Sequence, residues 1–187
     1  MQQAQLNFEE ILSEPILLVA ERSKRSLFYF IQEFWPEVST DEPDWNWHIP
    51  YLSGRLMQLA INVSKKRPNT HDLIINIPPG TTKSITCVVM FPAWCWTRWP
   101  WMRFITSSYS GPLALEHAEL SRDLVRSEKY QEYFPNIQIK RDKDTKSNFQ
   151  IQENVNGEWK RAGSRFSTSV NGTLTGYHGH ILLVDDP

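Results

Sequence analysis

The spacing of apolar residues predicts helices in the first third of the chain. Residues 6–34 show the periodicity of one or two helices interrupted at Pro15, and residues 27–34 carry a wide apolar face. A further helix is predicted from His48 to about Lys66, because apolar residues recur on one side and Pro68 follows a basic last turn. The intervening segment, 36–47, is acidic and contains two prolines, which indicates a loop or linker.

Beyond Pro68 the pattern changes from helical to strand-like. Residues 73–77 (LIINI) form a short β-branched run that predicts a buried strand, followed by a turn and a helix to about Trp96. A second strand is predicted over 103–108, and Ser110-Gly111-Pro112 then indicates the start of a helix that continues to about Ser127.

The last third of the chain predicts further strands. Residues 136–170 alternate strand-like pieces with turns, and Asn156-Gly157 is a strong hairpin signal. Residues 181–184 (ILLV) form the last predicted strand. The succession of strand, helix, strand, helix and strand predicts an α/β fold, with a parallel sheet flanked by helices and joined by right-handed crossovers.

Composition is that of a globular protein, with 40% hydrophobic and 22% charged residues. The longest apolar run, 87–96, is too short to span a bilayer and contains Pro92, so no membrane association is expected. No secretory signal precedes the first helix, and we expect a protein that is not secreted. Cys87 and Cys95 are eight residues apart in a predicted helix, roughly 12 Å along its axis, which is too far for a disulfide.

Charge divides the chain at residue 47. Residues 1–47 carry nine acidic and three basic side chains, a net charge of −6, whereas residues 48–187 carry a net charge of +5. We therefore separate an acidic helical N-terminal segment and linker, 1–47, from an α/β domain, 48–187. The basic excess of the larger part permits a polyanionic partner, and a mixed solvated surface explains it equally well.

Four tryptophans lie close together between residues 94 and 101. Such a cluster can form a platform on which nucleic-acid bases stack. More often it belongs to the edge of a core or to a contact with a neighbouring domain, and this is the interpretation that we favour.

The segment Pro78-Pro79-Gly80-Thr81-Thr82-Lys83-Ser84 has the features of a nucleotide-phosphate loop. Such a loop joins a strand to a helix N-terminus, where a lysine reaches the outer phosphates and a hydroxyl holds magnesium. Lys83 and Ser84 match those two roles, but Ile77 and Thr82 stand where the motif has glycine. Thr82 would be strained if its position requires a positive φ. The alternative is that Gly80 simply marks a turn between a strand and a helix.

A second candidate site lies about a hundred residues later, where ILLV is followed by Asp185 and Asp186. A carboxylate at a strand end suits a magnesium ion, and a second acidic neighbour can orient an attacking water. Asp185 suits the first role and Asp186 the second. The alternative is an ordinary strand that ends in a solvated acidic turn.

These segments together resemble the large subunit of tailed-phage terminases, the ATP-driven motors that package DNA. The resemblance runs from about His48 to Pro187, and its order and spacing are more specific than any single piece. The family's loop usually has the form PPRHGKS, whereas here Gly80 replaces the arginine and Thr82 the glycine. The resemblance is carried by the segments IINIPPGTTKS, FPAW, ITSSYSGPLALEHAELSRDLVRS, GTLTGYHGH and ILLVDDP.

The resemblance implies a P-loop NTPase-like domain that hydrolyses ATP with Mg²⁺ and drives double-stranded DNA into a procapsid. Asp186 would be catalytic, Arg122 would act as an arginine finger, and Ser84 and Asp185 would hold Mg²⁺. The implied partners are DNA, the portal protein, the terminase small subunit and further copies of the chain in a ring, in the host cell cytoplasm. The implied nucleotide-binding residues are Pro79, Gly80, Thr81, Thr82, Lys83 and Ser84.

The family also has a C-terminal nuclease, and in its sheet the strand after the acidic one lies between that strand and the phosphate-loop strand. By comparison with this family, the chain is expected to be the ATPase portion only, with a sheet that lacks a central strand. We expect residues 1–187 alone to bind ATP weakly and to hydrolyse it hardly at all.

Several alternatives stay open at this level. Arg122 could instead belong to an exposed helix face that pairs its charges, and His178 and His180 could bind a metal or merely lead into the last strand. Trp45, Trp47 and His48 could contact adenine or simply pack. The chain as a whole could be a nucleotide-binding or assembly module without turnover, or an α/β domain in which both motifs are accidental.

Overall fold

The computed structural model describes residues 15–68, 72–172 and 174–186, except for the side chain of Lys143. The part of the first predicted helix that precedes Pro15 lies outside these residues. The helices are α1 (Pro15–Arg25), α2 (Leu27–Phe34), α3 (His48–Ser64), α4 (Phe91–Arg98), α5 (Gly111–Arg126) and α6 (Glu128–Tyr133), with a 3-10 turn at Trp35–Glu37 and a π-helix at Ile85–Met90. The strands are β1 (Arg103–Ser108), β2 (Ile137–Asp144), β3 (Asn148–Val155), β4 (Glu158–Ser169) and β5 (Ile181–Asp185).

The strands form one mixed sheet in the order β2-β3-β4-β1-β5. The α/β class is confirmed, but the prediction of a parallel sheet is correct only where β1 runs parallel to β4 and to β5. The β2, β3 and β4 strands are antiparallel, because short turns can join only antiparallel neighbours. The predicted hairpin is confirmed at Asn156 and Gly157, whose φ values of 56° and 86° suit a tight turn between β3 and β4.

The prediction of a buried strand at residues 73–77 is wrong. The segment has no strand pairing with any described residue, although it stays extended. Leu73, Ile75 and Ile77 pack against the core, whereas Ile74 is 82% exposed. The apolar composition of LIINI suggested burial on both faces, but only one face has something to pack against, and no neighbouring strand completes a ladder.

One hydrophobic core joins α1 and α2 to α3, α4, α5 and the sheet. Trp94 and Trp96 are fully buried in it, so these two side chains cannot form a base-stacking platform. The indole N–H of Trp94 donates to the Ser23 carbonyl at 3.1 Å and that of Trp96 to the Met102 carbonyl at 3.0 Å. Cys87 and Cys95 are free and buried, as the spacing predicted. Among the described helices, none combines the length and apolarity needed to cross a bilayer.

A buried arginine fixes the helical segment that follows the phosphate loop. Arg165, on β4, is fully buried, and burial lowers its pKa to about 9. Its Nη1 donates to the Val88 carbonyl of the π-helix at 2.6 Å, and its Nε to Ser167 Oγ at 3.1 Å. From the other side, Ser121 Oγ of α5 donates to the Val89 carbonyl at 3.1 Å. The π-helix is thus hydrogen-bonded to both the sheet and α5.

We expect Trp94→Phe to destabilise the protein by about 2 kcal/mol, because it removes a hydrogen bond to α1 and leaves a cavity. Urea unfolding followed by circular dichroism measures the change. Trp101→Phe is the matched control: its side chain is 38% exposed, and the expected change is within about 0.5 kcal/mol. Equal unfolding midpoints for the two variants would contradict the assignment of Trp94 to the core.

Candidate functional site

The phosphate-loop segment borders a cavity of about 440 Å³. The chain turns at 78–82 and becomes helical at Lys83, so the loop precedes a continuous helical rod, 83–98. The helix N-terminus therefore lies beside the cavity and carries the positive end of the helix dipole. The cavity is lined by Ile77, Pro78, Pro79, Gly80, Thr81, Thr82, Lys83, Ser84, Ile85, His117 and Asp186.

Two residues of the loop have left-handed backbone conformations. Gly80 has φ of 76° and Thr82 has φ of 64°, which confirms that Thr82 occupies a position suited to glycine. The intervening Thr81 donates its hydroxyl to the Pro78 carbonyl at 2.5 Å. Its own carbonyl lies 3.2 Å from Nε2 of His48 on α3. A hydrogen bond within the loop and a contact from the first residue of α3 thus fix the loop in place.

Lys83 brings together the two predicted motifs, which are 103 residues apart in the chain. Its Nζ donates to Asp186 Oδ1 at 2.5 Å and lies 3.8 Å from Asp185 Oδ1. The hydrogen bond to Asp186 raises the pKa of Lys83 and thereby favours its charged form. Sequence analysis placed all three residues at one site, and the structure places them in contact.

The two adjacent carboxylates have different surroundings. Asp185 ends β5 opposite Ser108 of β1 and is only 5% exposed. Asp186 follows with φ of 45°, its side chain is 63% exposed, and its carbonyl accepts from the backbone N–H of Tyr109 at 3.1 Å. The buried carboxylate suits a structural or metal-binding role, whereas the exposed one faces the space where water can approach.

The donors at the cavity fit a magnesium ion that is bound together with phosphates. Mg²⁺ in nucleotide sites takes one or two protein oxygens and completes its shell with phosphate oxygens and water. The buried Asp185 places its Oδ1 3.8 Å from Nζ of Lys83, and Ser84, which carries a hydroxyl, lines the cavity, so both oxygen ligands are available on the side of the loop. The described residues contain no cluster of three His, Cys, Asp or Glu side chains that could hold a metal ion without other ligands.

His117 belongs to the cavity, although sequence analysis did not identify it. It lies on the buried face of α5, is 7% exposed, and places Nδ1 3.6 Å from Asp185 Oδ2. Burial lowers its pKa, and the nearby Asp185 carboxylate partly opposes that shift. The available signal was its spacing: Ala114, Ala118 and Ser121 follow the helical period of a core-facing stripe, and His117 falls within it.

Arg122 does not line this cavity. Its side chain is 13% exposed and pairs with Glu119 at 3.4 Å and Asp123 at 3.2 Å. It also lies 3.9 Å from Asp144, which pairs in addition with Arg126. These contacts are those of a charge-paired helix face. An arginine finger acts on a neighbouring copy of the chain, so the role of Arg122 as such a finger stays a prediction.

The aromatic residues before α3 separate into two kinds. Trp45 packs edge-on against Phe28 and Trp35, with ring centroids 6.1 and 5.9 Å apart. Trp47 is 73% exposed and lies near the rings of His48 and Tyr51. His48 contacts the carbonyl of Thr81, and the exposed rings of Trp47 and Tyr51 lie next to one another beside it.

His180, just before β5, makes structural contacts, and neither it nor His178 belongs to a group of three potential metal ligands among the described residues. His180 Nδ1 accepts from the backbone N–H of Arg103 at 3.0 Å, and its ring lies edge-on to Trp101.

No family model matches the chain, and no curated protein or solved structure matches it. The interpretation of the site therefore depends on its own geometry.

Replacing Thr82 with glycine is expected to stabilise the protein by about 1 kcal/mol, because glycine adopts positive φ without strain. Urea unfolding measures this change, and affinity for ATP should hold or rise. Gly80→Ala is the control for the opposite change: alanine is strained at a φ of 76°, so this variant should destabilise the protein. A sharp loss of stability or affinity in Thr82→Gly would indicate a specific contact by the threonine side chain.

Proposed function

We propose that this chain is the ATP-binding portion of a DNA-packaging motor of the terminase large-subunit type, with a P-loop NTPase-like site. The observation that carries the proposal is the contact of Lys83 with Asp185 and Asp186 beside a cavity formed by the loop that precedes a helix. A lysine at a helix start, facing carboxylates at a strand end, is the arrangement that a magnesium nucleotide requires.

Each side chain has a distinct role in this proposal. The backbone of residues 79–84 and the ammonium of Lys83 bind the phosphates, with the helix dipole adding favourable charge. Ser84 and Asp185 hold Mg²⁺, which when bound neutralises charge on the phosphate oxygens. Asp186, the exposed carboxylate, orients the attacking water and accepts its proton. Lys83 exchanges its carboxylate partners for phosphate oxygens when nucleotide binds.

The DNA-packaging part of the proposal draws on the resemblance of residues 48–187 to terminase large subunits. Double-stranded DNA, the portal protein, the small subunit and a ring of identical subunits are the partners proposed on that basis, in the host cytoplasm. Arg122 is the proposed finger toward a neighbouring subunit. The basic excess of residues 48–187 is compatible with a DNA partner.

A second candidate function is nucleotide binding without turnover. Thr82 favours it, because a β-branched residue with φ of 64° stiffens the position just before the phosphate-binding lysine. Hydrolysis measured under conditions that saturate binding separates the two functions. Phosphate release by the saturated protein would exclude the second function, whereas its absence is expected of residues 1–187 under both.

Lys83→Ala should weaken Mg²⁺-dependent ATP binding by about 10- to 100-fold, the loss expected for hydrogen bonds to a charged group. Titration with a fluorescent ATP analogue measures the dissociation constant. Lys83→Arg, which keeps the charge with a different shape, should retain part of the affinity.

Lys65→Ala is the control for this series, because Lys65 is an exposed lysine at the end of α3. It should leave ATP affinity unchanged. Equal affinity of wild type and Lys83→Ala, with both proteins folded by circular dichroism, would refute the phosphate-loop proposal.

The exposed Trp47 is proposed to stack on the adenine ring. Trp47→Ala should lower affinity for ATP by about tenfold, the lower range of base–aromatic stacking, and leave affinity for tripolyphosphate unchanged. Competition of each ligand against the fluorescent analogue provides both values. Trp159→Ala, at another exposed tryptophan, is the control and should change neither. A parallel loss for ATP and tripolyphosphate would place the role of Trp47 in folding instead of base recognition.

A further inference from the structure

Two buried polar atoms face each other beside the cavity without hydrogen-bond partners among the described residues. They are Nδ1 of His117 and Oδ2 of Asp185, 3.6 Å apart. Buried side-chain polar atoms nearly always have a partner, and each unsatisfied one calls for an explanation. The distance exceeds an ordinary N–H···O hydrogen bond by roughly 0.6 Å, which a small side-chain rotation closes.

Both residues are positioned by the same strand. Two residues separate the end of β1 from the start of helix α5, and Ser110 Oγ caps the helix by accepting from the Leu113 N–H at 3.4 Å. On the other side, Ser108 of β1 is paired with Asp185 in the parallel ladder. The backbones that carry His117 and Asp185 are therefore anchored to one end of β1, and the two side chains cannot drift apart independently.

Packing further along α5 restricts the imidazole. Ser121, one turn after His117 on the same face, donates to the Val89 carbonyl of the π-helix. Ala114 and Ala118 are buried on that face as well. The small side chains allow α5 to lie close to its neighbours, so the histidine ring is held between the carboxylate and the cavity that it lines.

The two oxygens of Asp185 face different groups. Oδ1 lies 3.8 Å from Nζ of Lys83, whereas Oδ2 faces His117. A carboxylate is planar, so fixing one oxygen fixes the direction of the other. Carboxylates that bind a metal ion are themselves commonly oriented by hydrogen bonds from surrounding residues.

We propose that His117 is a positioning residue for Asp185, whose Nδ1–H engages Oδ2 and keeps Oδ1 directed toward Lys83 and the phosphate loop. This assignment rests on the proposed function of the site and deepens it. It predicts that His117 acts on the magnesium-dependent part of nucleotide affinity, and only through Asp185.

A double-mutant cycle tests this dependence. His117→Leu removes the donor at similar volume, His117→Asn retains a side-chain N–H, and each is made with and without Asp185→Asn. Affinity for a fluorescent ATP analogue is measured once with Mg²⁺ and once with EDTA. The ratio of the affinity with Mg²⁺ to the affinity with EDTA is the magnesium-dependent gain. Leu115→Ala is the control, because Leu115 lies on the same helix with its side chain 36% exposed.

His117→Leu should reduce the magnesium-dependent gain by about tenfold, as expected for a residue that orients a metal ligand, and leave the affinity in EDTA unchanged. His117→Asn should stay within about threefold of wild type, and Leu115→Ala should retain the full gain. With Asp185→Asn present, His117→Leu should have no further effect. An unchanged gain in His117→Leu, or a loss that persists beside Asp185→Asn, overturns the assignment.

Ring ¹⁵N chemical shifts of His117 in the nucleotide-free protein give a readout that does not depend on nucleotide binding. The expected tautomer carries its proton on Nδ1, and an imidazole protonated on Nε2 alone overturns the proposed contact. A wild-type protein without magnesium-dependent nucleotide affinity refutes the proposed function instead. The two failures are therefore distinguishable.

Discussion

The contact between Lys83 and the carboxylates after β5 balances charge that would otherwise accumulate at the start of a helix. Lys83 lies where the helix dipole is already positive, so an ammonium there is unfavourable without a partner. Asp185 and Asp186 supply that partner, and the hydrogen bond to Asp186 raises the pKa of the lysine. The cavity consequently has a positive side formed by the loop and a negative side formed by the strand end, which is the polarity that a magnesium-bound phosphate chain requires.

Such a contact is useful only if the helix and β5 keep a fixed separation, and a closed circuit of hydrogen bonds maintains it. The circuit runs from β5 to β1 and β4 through the parallel ladders, then through Arg165 to the π-helix, which directly follows Ser84. Burying a guanidinium without a carboxylate partner is costly, and the lowered pKa of Arg165 expresses that cost. A π-helix shifts the regular hydrogen-bond pattern of an α-helix, and the donors of Arg165 and Ser121 bond to two of its carbonyls.

Features that depend on local chemistry could be predicted from the sequence. The bounds of β1, the start of α5, the hairpin at Asn156-Gly157 and the strained position of Thr82 all follow from turn residues and periodicity. Features that depend on distant partners could not. The segment LIINI has the composition of a buried strand but has no pairing neighbour among the described residues, and the parallel pairing of β4 with β1 depends on which distant strands meet. His117 has no motif around it, since its position becomes informative only when β5 places Asp185 beside it.

Backbone strain identifies the same cavity independently of charge. Among the described residues, positive φ at non-glycine positions occurs at Lys66, Thr82, Asn156 and Asp186. Lys66 follows the end of α3 and Asn156 lies in a hairpin turn, and both are positions where this conformation is ordinary. Thr82 is β-branched and has no such explanation, whereas aspartate adopts this conformation more readily; Thr82 precedes Lys83 in the loop and Asp186 accepts its hydrogen bond. Strain of this kind persists where surrounding structure over-determines the backbone, typically at binding and catalytic sites. Because dihedral angles and ion pairs are separate observations, their convergence on one cavity supports the site without reference to any family.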